Sequence, residues 1–385
     1  MKVLQINAVY GVGSTGVILQ SLRERCKQNG IDCFVASQIN RDAIPGDYII
    51  GSKIESLLHA LLSRIGGKQA YYSRFATLRL IRYIDKLKPD IVHLHNLHNN
   101  YVNVNMLLRY LAKNQIKTVI TLHDCWWYTG GCYHYTTVDC SKWLIRCGHC
   151  PKRYLEIPAL LCDCSAKIHD DRKKYLLAIK DLTIVGVSDW ISGEASKSFL
   201  RGRKILTIYN GIDFNVFKPT PSRLRSKYGI EDKYVLLGPA NKWLDEINKP
   251  VLSYFMEHMG PNFVLFLMGH SGKNFQFGPQ IRFLPYTNDK KELAEIYSMA
   301  DVFVNCTREE SLGLVNIEAQ LCGTPVVTFS GTGISETVPV SGQVPVGNAK
   351  DLFSKCLCPP EPDPVFLARF DSDITYQSYI SVYLA

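Results

Sequence analysis

The sequence predicts an α/β protein made of two doubly wound, Rossmann-like domains facing one another across a cleft, and three observations support this. Short apolar runs alternate with segments of helical spacing through both halves of the chain, which is the pattern of a parallel sheet with crossover helices. A length of 385 residues suits two domains of somewhat under ~200 residues each better than one core. Between the halves, Asp213 to Pro221 holds two prolines and little periodicity, as an interdomain linker does.

In the first half, Lys2 to Asn7, Asp32 to Ala36, Asp90 to Leu94, Thr118 to Leu122 and Leu182 to Val187 are strand candidates. Thr15 to Asn29, Leu57 to Ile65, Thr77 to Leu87, Val104 to Lys113 and Lys167 to Ile179 have helical spacing. Lys88-Pro89-Asp90 is a helix stop that feeds the third strand. The second half supplies strands at Lys233 to Leu237, Phe263 to Met268, Asp301 to Asn305 and Pro325 to Phe329. Cys356 to Pro364 is too proline-dense for a helix, and Ile374 to Leu384 regains helical spacing. The expected division is 1–212 for a first domain with a cysteine-rich insert at 125–164, 213–370 for a second domain, and 371–385 for a last helix. Ligands of such sheets bind outside the carboxyl ends of the strands.

The densest chemistry follows the strand Asp301 to Asn305. Arg308-Glu309-Glu310-Ser311-Leu312-Gly313-Leu314 reads as a turn and a helix start, with Glu318 further along. A helix beginning near Leu312 would offer free backbone N–H groups and a favourable dipole to an anion such as a diphosphate. Glu310 in the turn and Glu318 two turns along could both reach ligand hydroxyls. Phosphate and hydroxyls together suggest a sugar nucleotide.

Glu310 and Glu318, with seven residues between them, closely resemble the E-x7-E signature of family 4 glycosyltransferases. These are retaining enzymes of the GT-B architecture, and the cysteines match a subgroup of polysaccharide biosynthesis. The resemblance extends to Gly11-Val12-Gly13-Ser14-Thr15-Gly16, Thr121-Leu122-His123-Asp124, Asn210-Gly211-Ile212-Asp213 with Phe217 and Pro219, and Gly323-Thr324-Pro325. It implies that Glu310 and His123 contact the donor sugar and Glu318 the nucleotide ribose, and Ser311, Leu312, Gly313 and Leu314, at the helix start read above as suiting a diphosphate, are the further donor-binding candidates. It also implies that the final helix crosses back onto the N-terminal domain.

Departure of a nucleoside diphosphate needs positive charge. The family uses an Arg and a Lys after the first C-terminal strand, and Lys249 matches that lysine. Asn248 stands where many members of the subgroup have Arg, Pro250 stands where Gly is usual, and Lys242 is the candidate for the second charge. No Asp-x-Asp metal motif stands in a convincing context, so no catalytic metal is expected.

On the acceptor side, Gly11-x-Gly13-x-x-Gly16 has dinucleotide-fingerprint spacing but lacks an acidic ribose partner after the second strand, where Gln38 and Asn40 stand. It reads as a phosphate or acceptor loop, and its Gly13 and Ser14 are candidate donor-binding residues. His123 follows a clean strand, and His95, Asn96 and His98 lie just past another. The latter three are the acceptor-binding candidates.

Thirteen cysteines, an odd number, argue against a disulfide set. Cys132, Cys140, Cys147 and Cys150, ending in C-x-x-C around Gly148, suit a tetrahedral structural zinc. Cys125, Cys162 and Cys164 are substitute ligands, and packed reduced thiols are the alternative. Trp126, Trp127, Tyr128, Tyr133, Tyr135 and Trp143 interleave with them.

A formal charge of +9 fits a phosphorylated substrate or an anionic surface, and no basic block is long enough for a nucleic-acid tail. No apolar run approaches the roughly 18 residues of a membrane span, and polar residues break the N-terminus too early for a signal peptide. The expected place is the cytoplasm, with peripheral contact at the inner face of the membrane.

The reading is transfer of a hexose-type sugar from a UDP- or GDP-sugar to a glycan or lipid-linked acceptor, with retention, in surface or capsular polysaccharide synthesis. Its rivals are a sugar-nucleotide epimerase of similar architecture and a binding protein with a degraded site.

Overall fold

A computed structural model describes residues 1–385 apart from Arg41, Ile157, Pro158, Lys273, Asn274 and Gln276. The chain forms two compact units, Met1–Ile208 with Tyr376–Ala385, and Tyr209–Thr375.

In the first unit the strands are β1 (Lys2–Tyr10), β2 (Asp32–Asn40), β3 (Tyr48–Ile49), β4 (Ile91–Leu94), β5 (Lys117–Leu122), β6 (Leu182–Gly186) and β7 (Lys204–Thr207). They form one parallel sheet in the order β3-β2-β1-β4-β5-β6-β7. The order reverses between β1 and β4, and the crevice outside their carboxyl ends is where such a sheet takes a ligand.

The core on one face joins Val3, Ile91, Val119 and Val185 of the strands to Ile18 and Leu22 of the helix Gly13–Gln28. Tyr376, Tyr379, Ile380 and Tyr383 of the last helix, Ser372–Leu384, belong to the same cluster. The Tyr379 and Tyr383 hydroxyls enter it with partners. Tyr383 Oη lies 2.6 Å from His93 Nδ1, and Tyr379 Oη lies 3.0 Å from Thr121 Oγ1, which in turn lies 2.8 Å from His93 Nε2. Burying phenols is tolerable because each is hydrogen-bonded.

The second unit has β8 (Tyr234–Pro239), β9 (Phe263–Met268), β10 (Ile281–Leu284), β11 (Val302–Asn305), β12 (Val326–Phe329) and β13 (Gln343–Val344). Its parallel order is β10-β9-β8-β11-β12-β13, with the reversal between β8 and β11. Buried Trp243 fills the space beside these two strands and donates to Val304 O at 3.0 Å. Gly238 makes room for it, since a Cβ there would stand 2.1 Å from Trp243 Nε1.

The doubly wound pair of α/β units is as expected. Four strands lie beyond those expected: β3, β7, β10 and β13 are two to four residues long and end or flank their sheets, too short to carry a readable alternation.

Candidate active site

In the second unit the loop after β11 leads into the helix Leu314–Leu321, two residues later than the expected start near Leu312. Gly313 is the cap residue and no side chain caps the helix. The glycine is packed close, since a Cβ would meet Ile334 Cγ1 at 3.1 Å. A buried amide chain fixes the helix to the strand. Asn305 Nδ2 donates to Asn316 Oδ1 at 2.8 Å, Asn316 Nδ2 to Thr337 Oγ1 at 2.9 Å, and Gln320 Nε2 to Thr337 O at 2.7 Å. Fully satisfied networks of this kind rigidify what they join.

On this frame the Ser311 hydroxyl is buried without a hydrogen-bond partner. Native structures rarely leave a buried hydroxyl orphaned, so it is available to a ligand or to water. Glu310 N bonds Thr332 Oγ1 at 3.3 Å. Glu318, on the same helix as Leu314, accepts from Tyr297 Oη at 2.8 Å. Burial raises its carboxyl above the usual range against the pull of that bond and of Lys290.

Cations gather across the β8–β11 reversal. Lys249 opens the helix Lys249–His258 and pairs with Glu246 at 2.6 Å, both side chains well exposed. Lys242 ends the short helix Ala240–Trp243 after β8. Buried Asn248 donates to Lys242 O and to Cys306 O, each at 3.0 Å, and accepts from Arg308 Nε at 2.9 Å. Arg308 Nη2 also donates to Ile247 O at 3.0 Å. Burial pushes the Cys306 thiol up to about 12 while Lys242 and Arg308 pull it down, which puts both cations near the end of β11.

In the first unit the helix Gly13–Gln28 begins without a side-chain cap, and Gly13 and Ser14 are exposed at its start. Gly11 and Gly13 have φ of 70° and 64°, conformations that favour glycine. Buried Asn7, inside β1, donates to Val9 O and accepts from Asn96 N at 3.1 Å, tying this strand to the loop after β4.

His95 is fully buried, with Nδ1 at 3.1 Å from His123 Nε2 and Nε2 unpartnered. Burial, then His93 and His123, holds the His95 imidazole neutral, and burial lowers His123 to about 4. The pair offers hydrogen bonds rather than charge. His98 Nε2 lies 3.2 Å from Asp124 Oδ2. Burial acts to raise Asp124, but the bond and charge of His98 and the Trp126 amide outweigh it, so the carboxyl lies low. His93 faces Tyr383 and Thr121 instead and is structural.

In the insert, Cys132, Cys140, Cys147 and Cys150 all line one cavity of about 20 Å³, while Cys125, Cys162 and Cys164 do not. It has room for one water-sized occupant. All four are reduced. As the side chains lie, no group of three or more His, Cys, Asp or Glu among the described residues is arranged to hold a metal. Gly130 N donates to Cys147 Sγ at 3.2 Å. Beside them Arg172 is buried, stacked 3.5 Å over Trp126, with Nη1 on the backbone oxygens of Trp126 and Thr129 and Nη2 unpartnered.

Two family models match the chain, Glycosyltransferase Family 4 over residues 15–151 and Glycosyl transferases group 1 over residues 243–358. The chain belongs to the GT-B glycosyltransferases of family 4. It is similar to the putative colanic acid biosynthesis glycosyl transferase WcaC of Escherichia coli, 21% identical over 94% of this chain and 91% of that one. It is also similar to N-acetyl-alpha-D-glucosaminyl L-malate synthase of Bacillus anthracis, 27% identical, a match that covers 40% of this chain and less than half, 43%, of that protein. The crystal structure of HepE of Anabaena with UDP-glucose aligns over all of both chains at a TM-score of 0.61 and 14% identity, which shows the shared fold. These matches do not favour an epimerase.

Three residues of the transferase that sequence reasoning did not assign to the site are Arg308, Asn7 and Tyr297. Arg308 stood in the motif but carried no role, because its partner Asn248 is 60 positions away in the chain. Asn7 could have been suspected as a polar residue at the end of an apolar strand. Tyr297 gave no signal.

Proposed function

We propose that this glycosyltransferase moves a hexose from a UDP- or GDP-sugar to a glycan or lipid-linked acceptor, with retention of anomeric configuration, at the inner face of the membrane. The observation that carries the donor side is the orphaned, buried Ser311 hydroxyl at an uncapped helix start, next in the chain to Glu310 and leading into the helix that carries Glu318. A helix start with free N–H groups suits the diphosphate, and HepE, of the same fold, is held with UDP-glucose in its crystal structure. WcaC, named for colanic acid biosynthesis, supports a role in surface polysaccharide synthesis. The bond from the anomeric carbon to the phosphate oxygen breaks as the bond to the acceptor oxygen forms on the same face. The acceptor proton passes to the departing phosphate oxygen. Neutral His95, held against His123, and Asn96 and His98 bind the acceptor, while His123 reaches the donor sugar.

Thermal shift against a panel of nucleotide sugars identifies the donor, and release of nucleoside diphosphate only when acceptor is added establishes transfer. Glu318→Ala should weaken nucleotide binding roughly tenfold or more, the loss of a charged hydrogen-bond acceptor, whereas Glu310→Ala should mainly lower turnover. Wild-type nucleotide affinity in Glu318→Ala would remove the ribose assignment. Because burial raises Glu318, its acceptor form is lost on acidification sooner than an exposed carboxylate would be. Nucleotide affinity should therefore fall as pH drops towards the acid range, and that limb should be absent in Glu318→Gln.

The four insert thiols are proposed to hold one structural zinc after rotation of their side chains about the shared cavity. Four thiolates and Zn²⁺ carry a net charge of −2, which would add to the pull of Asp124 on the buried Arg172 guanidinium.

A further inference from the structure

The helix Lys53–Gly66 is built with its polar side inward. Its buried residues are His59 and Ser63, and His59 Nδ1 is bonded to Ser73 Oγ at 2.7 Å. A Ser52–Glu55 capping box starts the helix, and Glu55 pairs with Arg79 at 2.7 Å. The orientation is therefore held by specific contacts. The apolar stripe faces outward: Ile54, Leu57, Leu58, Leu61, Leu62 and Ile65 are all exposed, Ile54 by 79% and Leu57 by 73%. Their spacing is that of one helix face.

The stripe continues into the insert. Leu160 N and Leu161 N donate to Arg64 O and Ile65 O at 2.8 and 3.2 Å, so two more exposed leucines, 65% and 72%, close the end of the helix. A contiguous exposed apolar surface of this kind marks an interaction site. Its surroundings are basic. Residues 53–82 contain six Lys or Arg and one carboxylate, Glu55, which Arg79 already neutralises.

We propose that this face docks on a membrane surface rich in anionic phospholipid, with the leucine stripe entering the boundary between headgroups and acyl chains and Lys53, Arg64, Lys68 and Arg74 lying among the phosphates. Apolar burial plus attraction to anionic lipid is how such a helix binds. At 14 residues the helix is too short to span a bilayer. Charge selects a lipid surface over a second copy of the chain, because pairing two such faces would bring two sets of cations together. The inference deepens the membrane-face part of the proposed function, and docking is measured without any sugar transfer.

The test is flotation of the purified full chain with vesicles of phosphatidylcholine alone or mixed with phosphatidylglycerol. The wild type should float with the mixed vesicles and much less with phosphatidylcholine, and added salt should weaken binding. Leu57→Ser with Leu61→Ser, both exposed positions that leave the buried side intact, should lower the bound fraction by roughly tenfold or more. Lys53→Gln with Arg64→Gln should weaken binding to the mixed vesicles alone. Unchanged melting temperature and nucleotide affinity in these variants show that the fold is kept. A wild type that stays with the lipid-free fractions, or a leucine variant that floats equally well, overturns the proposal. So does a wild-type dimer that the leucine variant dissolves, since a second copy then covers the face. A chain that floats but binds no nucleotide sugar would instead remove the transferase reading and leave the docking surface standing.

Discussion

Replacing Arg308 or Lys249 by alanine is expected to lower turnover by roughly a hundredfold or more at saturating donor, while affinity for the bare nucleotide moves only a few-fold. A preorganised donor or cation aimed at a developing oxyanion is commonly worth about 3 kcal/mol, and most of that is realised only as the charge forms. Arg308 is preorganised: Asn248 Oδ1 and Ile247 O hold its Nε and Nη2, so little ordering remains when the diphosphate departs. Lys249 is engaged with Glu246 on the surface, and such an exposed pair is worth about 1 kcal/mol or less. A diphosphate therefore outcompetes it. Glu246→Gln should leave turnover near wild type or raise it. The measurement is single-turnover release of nucleoside diphosphate beside a separate binding curve. Full activity in Arg308→Ala would assign the charge to Lys242 and Lys249 alone, and full activity in both single variants would place the stabilising charge elsewhere.

The Asn248 clasp shows what the sequence could and could not convey. Along the chain it reads as the loss of an arginine. In space its amide joins the end of β8 to the end of β11 and orients a different arginine, Arg308, which lies 60 residues away. Long apolar runs made β1, β5, β9 and β11 legible because fully buried parallel strands need them. The glutamate pair was legible because the turn and helix carrying it are contiguous. Pairings such as His95 with His123, or His93 with Tyr383 at a separation of 290 residues, depend on sheet order, which periodicity does not contain. The helix Lys53–Gly66 is the sharpest case. Its apolar spacing identified the helix correctly, yet the stripe faces outward because His59, bonded to Ser73, and Glu55, paired with Arg79, hold the other side inward.

Purified without added metal, the chain should carry one zinc ion per molecule, and stripping it with a strong chelator should make residues 125–164 readily cleaved by protease while nucleotide affinity in the second unit is retained. Structural zinc in a four-thiolate site is bound with an apparent free energy of roughly 10 kcal/mol or more near neutral pH, so only a strong chelator should succeed. Burial raises the thiols of Cys132, Cys147 and Cys150, and a metal would supply the charge that keeps them as thiolates. Arg172 separates this reading from a cluster of packed thiols. Beside neutral thiols burial outweighs the pull of Asp124 on its cation, so Arg172→Met should be neutral or stabilising. Beside a doubly negative zinc–thiolate centre, the same change should weaken zinc retention and lower the melting temperature of the metal-loaded chain. A folded, active preparation free of zinc and iron would sink the metal site.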